Sequence, residues 1–166
     1  TCDVRQAAHD IVMSKAFDNG MICASEQAAI LDEEIADAWC QEVKNYGAYF
    51  ATKKEKAMLE KFMFGVSNKS EYANAKLNPN VVGKSAHWIA KEAGFEIPEN
   101  TSIICVECNE VGVNEPLTRE KLSPVLAVLK ATSTEDGIAK SAAMVEFNGL
   151  GHSAAIHTQN HDISVQ

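Results

Sequence analysis

The chain has 166 residues, 46% hydrophobic and 23% charged, which is typical of one globular domain with a substantial core. Its formal net charge of −8 disfavours nucleic acid or an anionic membrane surface as a partner, so we expect neither. No apolar run reaches the roughly 18 residues of a membrane-spanning helix. The five cysteines follow no disulfide framework, so a cytoplasmic location is expected.

The start of the chain is predicted to form a helix followed by a short buried strand. The helix covers 3–17, because apolar residues recur on one stripe, and Asn19 and Gly20 end it since both tolerate the left-handed conformation. The strand covers 26–31. The stripe consists of Val4, Ala8, Ile11 and Val12.

Two further helices are predicted before a loop-like stretch at 67–79. Asp32 can cap the first of them, and the capping box of Thr52 and Glu55 opens the second. The residues expected to face the core are Ile35, Ala38, Trp39 and Val43 in the first helix and Met58, Leu59, Phe62 and Met63 in the second.

The second half of the chain continues the alternation of helices and strands. Helices are predicted over 81–93, ending at Gly94, and over 134–147. The predicted strands are 102–106, 125–130 and 153–157. Such alternation indicates an α/β domain, layered αβα, with a largely parallel sheet.

Cys23 is the first candidate for chemistry. It follows a glycine-containing turn and precedes a predicted strand, so it can be presented at a strand end, where α/β sites usually lie. A nucleophilic thiol needs surroundings that favour its thiolate form. From local spacing alone, a small buried hydrophobic residue remains the commoner interpretation of a lone cysteine.

Three ordered segments carry a resemblance that changes this interpretation. They are residues 17–27 (FDNGMICASEQ), 115–126 (EPLTREKLSPVL) and 149–154 (GLGHSA). Together they closely resemble the CoA-acylating aldehyde dehydrogenases, and most of all the aldehyde half of the bifunctional aldehyde–alcohol dehydrogenases. The similarity covers nearly the whole chain, and three motifs in the same order are far more specific than any one of them.

The resemblance implies roles for three residues. Cys23 would attack the aldehyde, hydride would pass to NAD, and the thiol of coenzyme A would release the resulting thioester as acyl-CoA. Glu120 matches the family's glutamate that hydrogen-bonds the nicotinamide-side ribose; the alternative is a solvated acid beside Lys121. His152 matches the active-site histidine, and an imidazole can shuttle a proton at neutral pH. The alternative for His152 is a turn residue.

The remaining cysteines and histidines do not predict a metal site. Cys105 and Cys108 have the spacing of a zinc or redox pair, but no second ligand pair follows, so a structural role is favoured. His157 and His161 lie close to His152 along the chain and are interpreted as surface residues.

The resemblance also implies that residues 1–166 are part of a catalytic domain. No Gly-x-Gly-x-x-Gly fingerprint is present, and the first residue is not Met, so we expect an excised segment without the nucleotide-binding half. Such a segment should be nearly inactive alone.

The full-length protein would interconvert a short aldehyde and acyl-CoA, acetyl-CoA first among them, as a homo-oligomer or filament. The alternatives are a CoA-acylating succinate-semialdehyde dehydrogenase, a non-acylating enzyme that releases free acid, and, from a different class, a non-catalytic filament-assembly module.

Overall fold

A four-stranded sheet organises the protein, for which the computed structural model describes residues 2–164. The strands lie in the order β1-β4-β3-β2, and every neighbouring pair is parallel. This confirms the predicted α/β class and its parallel sheet. The strands are β1 (Ala28–Asp32), β2 (Ala48–Phe50), β3 (Ile103–Glu107) and β4 (Val125–Ala131).

Helices cover both faces of the sheet, as parallel strands require. On one face α1 (Val4–Ala16) and α2 (Glu33–Asn45) enclose a core centred on Trp39. On the other face α3 (Lys53–Phe64) and α4 (Ala86–Ala93) pack over a second core. The chain continues into α5 (Thr134–Asn148), which contacts β1 and β4, and the short α6 (His161–Ser164). No helix within residues 2–164 is both long and apolar enough to cross a membrane.

The predicted helix starts have the expected caps. Asp32 accepts a hydrogen bond from the backbone N–H of Glu34 at 3.1 Å. The capping box before α3 is complete, with Glu55 N–H donating to the Thr52 hydroxyl and Thr52 N–H donating to the Glu55 carboxylate. Gly94, with φ 102°, ends α4 in the left-handed conformation.

Three sequence predictions about the fold were wrong, and one short strand was not predicted. Residues 153–157 form no strand and are exposed, so this run of mostly small residues buries no apolar face. The three-residue β2 was missed. The helix predicted from 81 begins at Ala86, because Pro79–Val81 form a 3₁₀ turn and Ser85 supplies the cap. In α2, Ala38 is exposed and Ala36 is buried in its place.

Candidate active site

Cys23 is exposed on a turn between α1 and β1 that we call the cysteine turn (residues 17–25). The turn reverses the chain through three consecutive left-handed residues, with φ of 49° at Asp18, 52° at Asn19 and 69° at Gly20. Short polar side chains and glycine adopt this conformation most readily, which is why α1 ends here as predicted. The result is an accessible thiol on a backbone that tertiary contacts fix.

Contacts from distant segments hold the cysteine turn in place. The Asn19 side-chain amide donates to the Gly83 carbonyl at 3.0 Å. Gly20 lies directly against Ser123, so close that a Cβ added at Gly20 would be 2.5 Å from the Ser123 carbonyl oxygen. Ser123 belongs to residues 116–124, which we call the clamp segment.

Lys121 joins the clamp segment to the chain just beyond the cysteine turn. Its Nζ donates to the carbonyls of Gln27 at 3.0 Å, Leu117 at 2.7 Å and Arg119 at 2.9 Å. Its backbone N–H also donates to the Gln27 side-chain oxygen at 3.1 Å. An ammonium has three N–H donors, so all of them are satisfied. Complete burial nevertheless lowers the pKa of Lys121 well below its ordinary value.

Glu120 is half-buried, and its carboxylate accepts no hydrogen bond within residues 2–164. Its backbone N–H donates to the Asn148 side-chain oxygen at 2.7 Å, while the Asn148 amide donates to the Thr118 carbonyl at 3.0 Å. The end of α5 therefore fixes the backbone at Glu120 and leaves the carboxylate available as an acceptor.

The cysteine turn and the clamp segment meet at the amino-terminal edge of the sheet. The cysteine turn leads into β1 and the clamp segment into β4, and these strands are parallel neighbours paired as Ala28 with Ala127. Sites in open α/β sheets usually lie at the carboxyl ends of strands. The structure places Cys23 and Glu120 in segments at the same edge of the sheet, which is the opposite edge from the one that this rule favours.

Lys15 lies at the end of α1, close to both segments, and sequence reasoning missed it. Its side chain is 0% exposed, and its Nζ has no hydrogen-bond partner among the described residues. Burial lowers the pKa of Lys15 to about 7, while the nearby carboxylates of Glu26 and Glu120 act in the opposite direction. The sequence does indicate that Lys15 is buried, because it lies four residues after Ile11 and so continues the buried stripe of α1.

His152 is exposed in the irregular segment after α5. No hydrogen bond or ion pair joins His152 to Cys23 or Glu120 within the described part of the chain. The segment that contains His152 also approaches α1. The pKa of Asp10 in α1 is lowered mainly by its hydrogen bond with His9, and nearby His157 lowers it further.

Cys105 and Cys108 are buried on opposite sides of the sheet. Cys105 belongs to the core under α1 and α2, and Cys108 to the core under α3 and α4. Residues three apart on a strand point to opposite faces, so the two thiols cannot form a pair. Burial raises the pKa of both. Among residues 2–164, no group of three or more His, Cys, Asp or Glu side chains could hold a metal ion.

Comparison with known proteins identifies the class. The chain is 64% identical over 165 residues to an aldehyde–alcohol dehydrogenase of Streptococcus pneumoniae, covering 99% of this chain and 19% of that protein. A succinate-semialdehyde dehydrogenase (acetylating) of Clostridium kluyveri is 34% identical over 158 residues, which cover 95% of this chain and 33% of that protein. A crystal structure of an acetylating aldehyde dehydrogenase from Geobacillus thermoglucosidasius matches with a TM-score of 0.90 and 35% identity, covering 99% of this chain and 35% of that one. No protein-family model matches.

In sequence and in fold the chain matches segments of aldehyde–alcohol dehydrogenases and of acetylating aldehyde dehydrogenases, which confirms the resemblance carried by the three motifs. Within that class, the chain is homologous to a segment of the aldehyde–alcohol dehydrogenases, the branch that those motifs favoured. The chain spans about a fifth of the length of the pneumococcal relative, at 19%.

Proposed function

We propose that this chain is part of the catalytic domain of an NAD-dependent, CoA-acylating aldehyde dehydrogenase, and that Cys23 is its nucleophile. One observation carries the proposal: an exposed thiol lies on a turn that packs at Gly20 against Ser123 of the segment bearing Glu120, and Lys121 of that segment hydrogen-bonds Gln27 just beyond the turn. A catalytic constellation needs this kind of fixed relation between a nucleophile and a cofactor-binding group.

The chemistry of acyl transfer follows from the position of Cys23. The thiolate attacks the carbonyl carbon of acyl-CoA, a bond forms between the Cys23 sulfur and that carbon, and the bond to the CoA sulfur breaks. The CoA thiolate leaves, and the acyl group stays on Cys23 as a thioester. In the opposite direction, the CoA thiolate attacks the carbonyl carbon of the Cys23 thioester, the bond to the Cys23 sulfur breaks, and acyl-CoA leaves while the Cys23 thiolate is restored.

Glu120 fits the cofactor role. A carboxylate accepts hydrogen bonds through both oxygens, and that of Glu120 is partly exposed and accepts none within residues 2–164. Two adjacent ribose hydroxyls are suitable donors, and hydrogen bonds to an ionised acceptor are strong. A bound nicotinamide would supply or accept the hydride that interconverts thioester and aldehyde oxidation states.

His152 is proposed as the group that moves the proton of Cys23 or of CoA. Its exposure allows exchange with solvent, and its place after α5 puts it four residues from Asn148, the side chain that holds the Glu120 backbone. The remaining proposals rest on the resemblance: the full-length protein acts in the cytoplasm as a homo-oligomer or filament, with acetyl-CoA or another short acyl-CoA as substrate.

Acylation by acetyl-CoA tests the proposal directly. Incubation of the full-length protein with acetyl-CoA, without NADH, should add one acetyl group to the peptide that contains Cys23, as measured by mass spectrometry. Cys23→Ser should abolish the modification, whereas Cys40→Ser should not. Filaments without any acylation would support the assembly alternative instead.

Product analysis separates the enzyme alternatives. Aldehyde oxidation with NAD should yield acyl-CoA only when CoA is present; free acid formed at the same rate without CoA would favour the hydrolytic alternative. A preference for succinyl-CoA over acetyl-CoA would favour the succinate-semialdehyde alternative. The isolated 166-residue chain should give almost no aldehyde-dependent NADH, because a nucleophile without a positioned hydride acceptor cannot complete the reaction.

A further inference from the structure

The carboxyl-terminal end of α5 is joined to the clamp segment by the side chain of Asn148. Its oxygen accepts a hydrogen bond from the Glu120 backbone N–H at 2.7 Å, and its amide donates to the Thr118 carbonyl at 3.0 Å. The amide also donates to the Met144 carbonyl of α5 at 3.0 Å. A side-chain amide has one acceptor oxygen and two N–H donors, so Asn148 uses both kinds, and two of its three hydrogen bonds leave its own helix.

Phe147, the preceding residue of α5, contacts the clamp segment between these two hydrogen bonds. The guanidinium carbon of Arg119 lies over the Phe147 ring, 4.8 Å from its centroid, and the guanidinium also donates to the Tyr72 carbonyl at 3.4 Å. A cation over the face of an aromatic ring is attracted by the ring's electrons. Two consecutive residues of α5 therefore contact three consecutive residues of the clamp segment, 118–120.

The Glu120 side chain depends on this support of its backbone. Its carboxylate accepts no hydrogen bond within residues 2–164, so hydrogen bonds to the side chain do not fix its direction there. Two residues later, Leu122 has a left-handed φ of 43°, a conformation that a leucine keeps only where surrounding contacts hold it. Backbone contacts, those of Asn148 among them, therefore determine the position of the Glu120 carboxylate.

We propose that Asn148 is a positioning residue, whose two hydrogen bonds to the clamp segment hold the Glu120 carboxylate where it can receive the ribose hydroxyls of NAD. This inference rests on the proposed role of Glu120 in binding NAD. Asn148 acts through the Glu120 backbone and is not itself a ligand of the cofactor. A carboxylate that is already in place loses less conformational freedom on binding, so removing the Asn148 amide should weaken NAD binding more than it slows acyl transfer at Cys23.

Asn148→Ala in the full-length enzyme tests the inference. The NAD Kd, measured by calorimetric titration, and the NAD KM should both rise about tenfold, the effect of losing about one net hydrogen bond. Acetylation of Cys23 by acetyl-CoA without NADH should continue, so the variant separates cofactor binding from acyl transfer.

Asn78→Ala is the matched control. Asn78 is also half-buried, its amide donates to the Phe62 carbonyl at 3.2 Å, and its oxygen accepts from the Asn80 N–H at 3.0 Å. It therefore makes hydrogen bonds of the same kind as Asn148, but to segments other than the clamp segment. Asn78→Ala should lower the Tm to a similar extent and leave the NAD Kd at the wild-type value.

A double-mutant cycle shows whether Asn148 acts through Glu120. Adding Asn148→Ala to Glu120→Gln should raise the NAD Kd much less than Asn148→Ala does in the wild-type enzyme, because the effects of residues in one network are not additive. Full additivity would overturn the positioning role. Asn148→Asp provides the same comparison if Asn148→Ala does not fold, since it keeps the shape of the side chain. At about pH 8 its ionised carboxylate cannot donate to the Thr118 carbonyl, so the NAD Kd should rise here too, and again much less beside Glu120→Gln.

The remaining outcomes separate this inference from the proposed function. An unchanged NAD Kd in both Asn148 variants would overturn the positioning role, while acetylation and turnover by the wild-type enzyme would keep the proposed function intact. An equal rise in NAD Kd for Asn78→Ala and Asn148→Ala would make Asn148 an ordinary structural asparagine. An unchanged NAD Kd in Glu120→Gln would remove the cofactor role of Glu120 and this inference with it. Wild-type enzyme that neither binds NAD nor acetylates Cys23 would overturn both proposals.

Discussion

Gly20 should be the least replaceable glycine of the protein, because a side chain at this position has both a conformational cost and a steric cost. Its φ of +69° is left-handed, which costs an L-residue about 1–2 kcal/mol. A Cβ would also lie 2.5 Å from the oxygen and 2.7 Å from the carbonyl carbon of Ser123. Both atoms are backbone, so the clamp segment would have to move, and such overpacking costs about 1–3 kcal/mol more. Gly20→Ala should therefore lower the free energy of unfolding by about 2–5 kcal/mol.

Gly65 offers a matched control for this prediction. It has the same φ of +69°, but a Cβ there meets nothing within 4 Å. Gly65→Ala should cost only the conformational part, about 1–2 kcal/mol. Chemical denaturation of the 166-residue chain measures both variants, and their difference isolates the contact between the turn and Ser123. Equal losses for the two variants would refute the claim that the clamp segment packs rigidly against the turn.

Three other predictions concern the proposed catalytic residues. Limiting iodoacetamide should label Cys23 before Cys105 or Cys108, because burial raises the pKa of both of those thiols; peptide mapping that shows either one labelled first would contradict this. Glu120→Gln should raise the NAD KM while acetyl transfer to Cys23 persists, and unchanged NAD kinetics would make it a surface acid. His152→Ala should lower turnover about a hundredfold without lowering the Tm, since its side chain is exposed. A variant with full turnover and an unaltered acid limb of the pH–rate profile would remove His152 from the mechanism.

Local signals in the sequence predicted most of the helices and the central strands. The capping box before α3 and the left-handed residues after α1 act within a few residues, so the sequence alone specifies them. β3 and β4 were predictable because a strand covered on both faces is an almost continuous apolar run. These features need no knowledge of what they pack against.

The wrong or missing predictions concern segments whose structure depends on strand pairing or burial against distant parts of the chain. The edge strand β2 has only three residues, all half-buried, and exists through its pairing with β3, which is more than fifty residues away. Residues 153–157 were predicted as a strand from their pattern, but they remain exposed and unpaired in the structure. The motifs singled out Cys23 and Glu120, and the structure places their segments next to each other. That these segments lie at the amino-terminal edge of the sheet follows only from the strand order.

The backbone of the proposed site is held in conformations that its own residues do not favour. Among residues 2–164, positive φ at a non-glycine residue occurs at Asp18, Asn19 and Leu122 alone, all within the cysteine turn or the clamp segment. Each such residue costs about 1–3 kcal/mol, and only surrounding structure can offset it. Asp18 and Asn19 show this tendency in sequence, but Leu122 does not, because a bulky left-handed residue depends on tertiary contacts. The hydrogen bonds of Lys121 on one side and of Asn19 on the other supply those contacts. The presentation of Cys23 should therefore depend on side chains that never touch the substrate.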